Sequence, residues 1–183
     1  MNVTPTMTGR RMAASVAARR MASGAATRPG HRGRAQRRGV FLSGKQIKLF
    51  LVDGTPGGLT TAEITNWTGH VLTCNRSELS DLYQREETSR TGVYLLLRDD
   101  EDALGSTRCY IGETDVIANR LRSHDREKTE WDRVVIVTSK DANLTKAHAR
   151  YLESRLIELA KTAARVSVDN GTAPGVPALP EAD

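Results

Sequence analysis

From residue 43 onward, short apolar stretches alternate with clusters of turn-forming residues, and the period of the alternation changes along the chain. Ser43 to Val52 reads as a strand, with Ile47, Leu49 and Leu51 alternating with Lys48 and Phe50. Gly54-Thr55-Pro56-Gly57-Gly58 enforces a loop. Thr60 or Thr61 is positioned to cap a short helix through Trp67, with Glu63 in its first turn. His70 to Asn75 reads as a second strand, and Ser77 opens a helix carrying Leu79, Leu82 and Tyr83. Residues 40–88 are therefore expected to form a small β-α-β-α unit.

The pattern is cleaner further on. Gly92 to Leu97 and Thr107 to Gly112 are two strands joined by an acidic, Gly105-containing turn, the signature of an antiparallel hairpin. Thr114 or Asp115 caps a helix reaching about Ser123, Arg133 to Thr138 is a strand, and Asn143 to Ala164 is the longest helix. Arg165 to Val168 is a last short strand before Asp169-Asn170-Gly171. The expected class is α/β, in the α+β sense. Domain limits fall at 1–39 for a leader, 40–88, 89–171, and 172–183 for a tail unstructured by composition.

Charge changes this picture less than the total suggests. The 183 residues carry a net +5, which invites a nucleic-acid partner. Residues 1–39, however, hold nine arginines and no acid, whereas the other 144 hold 18 cations and 22 acids. The excess positive charge belongs to the leader, and the body is mildly acidic. The Arg/Ala-rich, acid-free leader is expected to be a disordered basic arm or residues upstream of the true start, with a transit peptide and a DNA-anchoring arm as the alternatives. No apolar run approaches the ~20 residues of a membrane span. Two cysteines, Cys74 and Cys109, exclude a disulfide framework or a Cys-rich zinc site. A soluble, cytoplasmic protein is expected.

Chemistry concentrates in the second half. Each hairpin strand pairs a tyrosine with a glycine, Gly92-Val93-Tyr94 and Tyr110-Ile111-Gly112, and glycine within a strand marks close backbone approach. Arg120 and His124 stand four residues apart on one helix face, beside Ile117 and Leu121. On the long helix, Leu152, Leu156, Leu159 and Ala163 centre the apolar stripe, and Glu153 falls at its edge among Ala149, Ile157 and Ala160. A carboxylate in that setting needs an arginine, a hydrogen-bond set or a cation. Two phenols, an arginine, a histidine and one carboxylate suit phosphoryl transfer with a hydrated Mg²⁺. Bland assignments exist for each: hairpin core for the tyrosines, a structural Arg120–Glu153 ion pair, a satisfied histidine. His31, His70 and His148 suggest no chemistry.

Taken in order, these residues resemble the GIY-YIG nucleases over about residues 89–171. Gly92-Val93-Tyr94 and Tyr110-Ile111-Gly112 match the paired motif; Arg120, His124, Glu153 and Asn170 match the positions that follow it. The resemblance implies a small three-stranded, mainly antiparallel sheet flanked by helices. It implies an endonuclease that hydrolyses DNA with one Mg²⁺ or Mn²⁺ held by Glu153. Arg120 would stabilise the phosphorane, and one of Tyr94 and Tyr110, with Tyr110 favoured, would activate water while the other holds phosphate or water. His124 would handle protons or contact phosphate, and Asn170 would position the scissile group. Lys128 and Arg126 are placed to contact backbone phosphates. A homodimer would give paired cuts, and a non-catalytic nucleic-acid-binding module of the same fold is the alternative. Two features depart from the family pattern: Val93 replaces the usual isoleucine, and the motifs are separated by a longer connection containing Asp99-Asp100-Glu101-Asp102. Those acids would repel DNA unless the hairpin tip points away from it.

Overall fold

The computed structural model describes residues 44–128, 130–171 and 175. The leader over 1–39 lies outside these residues, as does the 172–183 tail apart from Gly175. Seven strands form one sheet: β1 (Ile47–Leu51), β2 (Thr60–Ile64), β3 (Gly69–Asn75), β4 (Gly92–Asp99), β5 (Thr107–Thr114), β6 (Arg133–Ser139) and β7 (Ser167–Val168). Their order is β1-β2-β3-β6-β4-β5-β7, with every pairing antiparallel except β5 with β7. The helices are α1 (Leu79–Leu82), α2 (Ile117–Glu127) and α3 (Lys146–Ala163), with 3-10 turns at Arg76–Glu78 and Glu86–Ser89. None among the described residues is long and apolar enough to cross a membrane.

The mixed α and β composition agrees with the sequence, but the sheet is not three-stranded. β3 runs along β6 for seven residue pairs, from Gly69↔Ser139 to Asn75↔Arg133, and joins the N-terminal strands to the hairpin. The expected β-α-β-α arrangement of residues 40–88 is instead a three-stranded meander followed by a short helix. The helix expected over Thr60 to Trp67 is strand β2, paired on both sides. Thr60, Thr61 and Ile64 are β-branched and favour extended backbone. Thr61 is buried opposite Leu72, and Asn66 turns the chain at φ 61°, a left-handed conformation that asparagine tolerates.

Strand alternation sends side chains to two cores. Tyr94, Leu96, Leu72, Val134 and Ile136 face α2, which contributes Ile117 and Leu121. Val93, Cys109 and Ile111 face α3, which contributes Ala149 and Ile157. The buried row of α3 is rotated from the expected stripe: Leu159 is half exposed, while Ala149 and Ile157 are fully buried. Glu153, four residues from each, lies in that row rather than beside it. The acidic turn is also placed. Asp99 pairs with Thr107 at one end of the hairpin, and Gly92 pairs with Thr114 at the other. At ~3.4 Å per residue, five residues put Thr107 roughly 17 Å along β5 from Gly112. Asp100 is buried and bonded to Ser167, with Arg108 nearby.

A single sheet predicts a single unfolding event. Leu72→Ala, at a fully buried position of β3, is expected to cost ~2–5 kcal/mol. Circular dichroism and fluorescence of Trp67 and Trp131 should report one coincident transition in the variant and in the parent. Separate melting of the two halves would contradict it.

Candidate active site

The site is built where β4, β5 and α2 meet. Tyr94 and Gly112 are cross-strand partners, and a methyl group placed on Gly112 would lie 2.3 Å from the Tyr94 hydroxyl. Glycine there lets the phenol lie across β5. Gly92 serves a similar purpose, because a methyl group on it would lie 2.7 Å from Ile117 Cδ1 and from the Val137 carbonyl oxygen. The first turn of α2 can therefore settle against the start of β4.

α2 then presents Arg120 and His124 from successive turns. Arg120 Nε donates to Tyr94 Oη at 3.1 Å, and Tyr94 Oη is 2.8 Å from His124 Nε2. The direction of that second bond is set by the imidazole tautomer. Tyr94 and His124 are each about 1% exposed. Tyr110 completes the group, its ring centre 6.3 Å from that of Tyr94 and 5.5 Å from that of His124. Lys128 Nζ lies 3.8 Å from the centre of the Tyr110 ring, a cation–π contact. A cleft of about 400 Å³ opens beside Tyr110 and Lys128, with Arg98, Trp131 and Asp169 among its walls.

Electrostatics separate the roles. Burial pushes the Tyr94 phenol well above its ordinary pKa, against the opposing pull of Arg120. Burial, followed by the charges of Arg120 and Lys128, lowers His124 from 6.5 to about 4, so the imidazole is neutral at pH 7. Its Nδ1 is buried with no hydrogen-bond partner among the described residues. The Arg120 guanidinium is held above its usual range, first by the hydrogen bond to Tyr94 and then by Tyr110.

Glu153 arrives from the opposite layer. Its carboxyl is raised first by burial and then by the neighbouring Glu113 carboxylate, while Lys146, Arg150 and the Glu113 backbone amide oppose the rise. Glu113 bonds to Lys146 at 2.7 Å and lies 3.8 Å from Arg150. Among the described residues no ion pair joins Arg120 to Glu153, so the structural pairing considered from sequence is not formed. Among the described residues β7 pairs with β5 at Arg108 and Cys109, and Asn170 spans the next step by bonding both the amide and the carbonyl of Ile111. By alternation, the Glu113 backbone faces the same edge, one step beyond Asn170. Gly112, beneath the Tyr94 hydroxyl, and Glu113, beside Glu153, are consecutive residues.

Tyr94, Tyr110, Arg120, His124 and Lys128 are thus gathered on one face, and Glu153 stands across the strand from them. Asn170 braces the edge through its amide, and Arg126 is exposed on the last turn of α2. Glu113 was not singled out from sequence. Its signal was an acid that follows Cys109 and Ile111 in the α3-facing alternation, where an apolar residue would be expected. A divalent cation would be held by the carboxylates of Glu153 and Glu113, hard-oxygen ligands of which Glu153 is raised first by burial and then by Glu113. Among the described residues no group of three or more His, Cys, Asp or Glu is arranged to enclose a metal, so water and phosphate oxygens would complete the coordination. Comparisons with protein families, characterised proteins and solved structures find no match.

Two outcomes test the cluster. Gly112→Ala should destabilise the fold by ~1–3 kcal/mol, because the methyl group displaces a buried, bonded phenol. Its folded His124 pKa lies below the unfolded value, so the histidine contributes fully above pH 6.5. That stability drains as pH falls toward 4, by up to roughly 3 kcal/mol. Denaturant titrations from pH 7 to 4 should show a shallower decline for His124→Gln than for the parent. Parallel declines would contradict the burial argument.

Proposed function

We propose that the chain is a GIY-YIG-type endonuclease that hydrolyses phosphodiester bonds in DNA with one Mg²⁺ or Mn²⁺. The observation that carries the reading is Arg120 bonded to the Tyr94 phenol above Gly112, beside the edge at which Glu153 meets Glu113. In this reading Arg120 and the metal-holding Glu153 serve the same phosphate from either side of β5.

Within this reading, Arg120 binds the phosphate and carries charge that develops on its non-bridging oxygens. Tyr110, half-buried beside the cleft, orients the attacking water. Tyr94 is too deeply buried, and its proton too tightly held, to serve as the base; it fixes the guanidinium. Neutral His124 in turn positions the Tyr94 hydroxyl from below. Glu153, with Glu113 beside it, would hold the metal, which supplies Lewis acidity at the phosphate oxygens. Asn170 holds the β5 edge in register and has a second amide hydrogen to offer the phosphate. Lys128 and Arg126 contact the flanking backbone. The acidic hairpin turn lies at the other end of β4 and β5 from Gly92 and Gly112.

One observation favours the rival, a binding module without chemistry. Lys146 Nζ already sits 2.7 Å from Glu113 and 3.2 Å from Asp115, supplying positive charge where a metal would. Incubating the full chain with supercoiled plasmid and Mg²⁺ or Mn²⁺ separates the two. Nicking is expected, with Arg120→Ala and Glu153→Ala each reducing it by about a hundredfold or more. Unchanged nicking in either variant would remove its residue from the mechanism. Binding by the parent without cutting would favour the module.

A further inference from the structure

The cleft beside Tyr110 holds chemistry that phosphate binding does not use. Its volume is about 400 Å³, and its walls include Leu96 and Arg98 of β4, Tyr110 of β5, Trp131, and Asp169 after β7. Alternation puts Leu96 and Arg98 on the face of β4 that carries Tyr94, and Leu96 is the cross-strand partner of Tyr110. Arg98 lies 3.6 Å from Glu130 and 3.8 Å from Asp169 Oδ2, both too long for hydrogen bonds. Among the described residues its guanidinium donors are therefore uncommitted. Asp169 Oδ1 accepts from Arg108, which leaves Oδ2 as an open acceptor beside Arg98. The Asp169 backbone N–H donates to the Cys109 carbonyl and holds the residue in place. Trp131 is only 3% exposed, and its indole Nε1 is buried with no hydrogen-bond partner among the described residues. A buried donor without an acceptor is rare and costly, and a carbonyl-bearing ligand would satisfy it.

We infer that this cleft takes a nucleobase with a lactam edge, a ring N–H beside a carbonyl, as in guanine and thymine. Arg98 donates to the carbonyl, and Asp169 Oδ2 accepts from the ring N–H. Adenine and cytosine present an amino group beside a bare ring nitrogen instead. They would set donor against donor at Arg98 and lone pair against carboxylate at Asp169. Leu96, Tyr110 and Trp131 supply the apolar and aromatic walls that a flat ring needs, and such stacking accepts any base. Selection therefore falls to Arg98 and Asp169. The charges of the lining also favour a base over an anion, since Arg98 and Lys128 are balanced by Glu127, Glu130 and Asp169. The inference rests on the nuclease reading only in placing this base next to the scissile phosphate. Tyr110 borders both the cleft and the catalytic group, and Asp169 directly precedes Asn170.

The test is an NMR titration of the full chain with dGMP, dTMP, dAMP and dCMP in the presence of EDTA, following the Trp131 indole N–H and the Tyr110 ring. The four nucleotides share a sugar and a phosphate, so differences among them report the base. A Kd lower by about tenfold or more is expected for dGMP or dTMP than for dAMP and dCMP, and the tighter of the two names the base. Asp169→Asn, which puts an amide donor against the ring N–H, should abolish the preference. Arg98→Met should abolish it as well, and it removes no hydrogen bond among the described residues, so it remains informative if Asp169→Asn disturbs Arg108. Equal binding of all four nucleotides, binding of none, or a preference that Arg98→Met retains would overturn the inference. Because no metal is present, a chain that binds dGMP or dTMP but never nicks plasmid would overturn the nuclease reading alone. A chain that nicks plasmid but shows no base preference in the titration would overturn this inference alone.

Discussion

A buried phenol lying across a glycine organises this protein's candidate site. The Tyr94 ring fills the α2-side core, and its hydroxyl comes to rest over Gly112, where no side chain blocks it. A hydroxyl with so little access to water must be bonded within the protein. Arg120 and His124 answer that need from successive turns of α2. The requirement works in both directions. The phenol fixes a guanidinium that would otherwise have many rotamers, and the guanidinium holds α2 to the hairpin. Neutral His124 closes the group from below without adding a second positive charge beside Arg120.

The two helices lie on opposite faces, so in the proposed site a cation from the α2 layer and a carboxylate from the α3 layer would meet along the outer edge of β5. Among the described residues β7 pairs with β5 at two positions and the Asn170 amide bridges one further step, which leaves Gly112 and Glu113 next along that edge. The net acidity of the body matters less here than its placement. Asp125 is paired with Arg76, Asp169 with Arg108 and Glu113 with Lys146, while Arg120 and Lys128 bring positive charge to the tyrosines.

The parts legible in the sequence were those whose signal is local. Short runs bounded by turn residues marked β4, β5 and β6, apolar spacing marked α2 and α3, and the four-residue interval placed Arg120 and His124 on one face. The strand β2 was misread because Thr60, Thr61 and Glu63 resemble a helix cap, and only pairing with β1 and β3 decides against it. The extent of the sheet was hidden for a related reason. β3 and β6 are joined across residues 58 to 70 positions apart, and nothing in either segment names its partner. Glu153 was legible as a carboxylate under stress. Its neighbour Glu113 was not, because their proximity depends on how α3 lies over β5. The rotation of α3 that exposes Leu159 also carries Glu153 into the buried row.

Under the proposed function, Glu153 from one layer and the Tyr110–Arg120 group from the other would serve a single metal-dependent site at the β5 edge. Mn²⁺ titrated into the full chain, with the tyrosine, histidine and glutamate resonances followed by NMR, tests this directly. Paramagnetic broadening should centre on Glu153 and Glu113, extend to Tyr110, and disappear in Glu153→Gln. Broadening that spares Tyr110, or that persists in Glu153→Gln, would contradict the account.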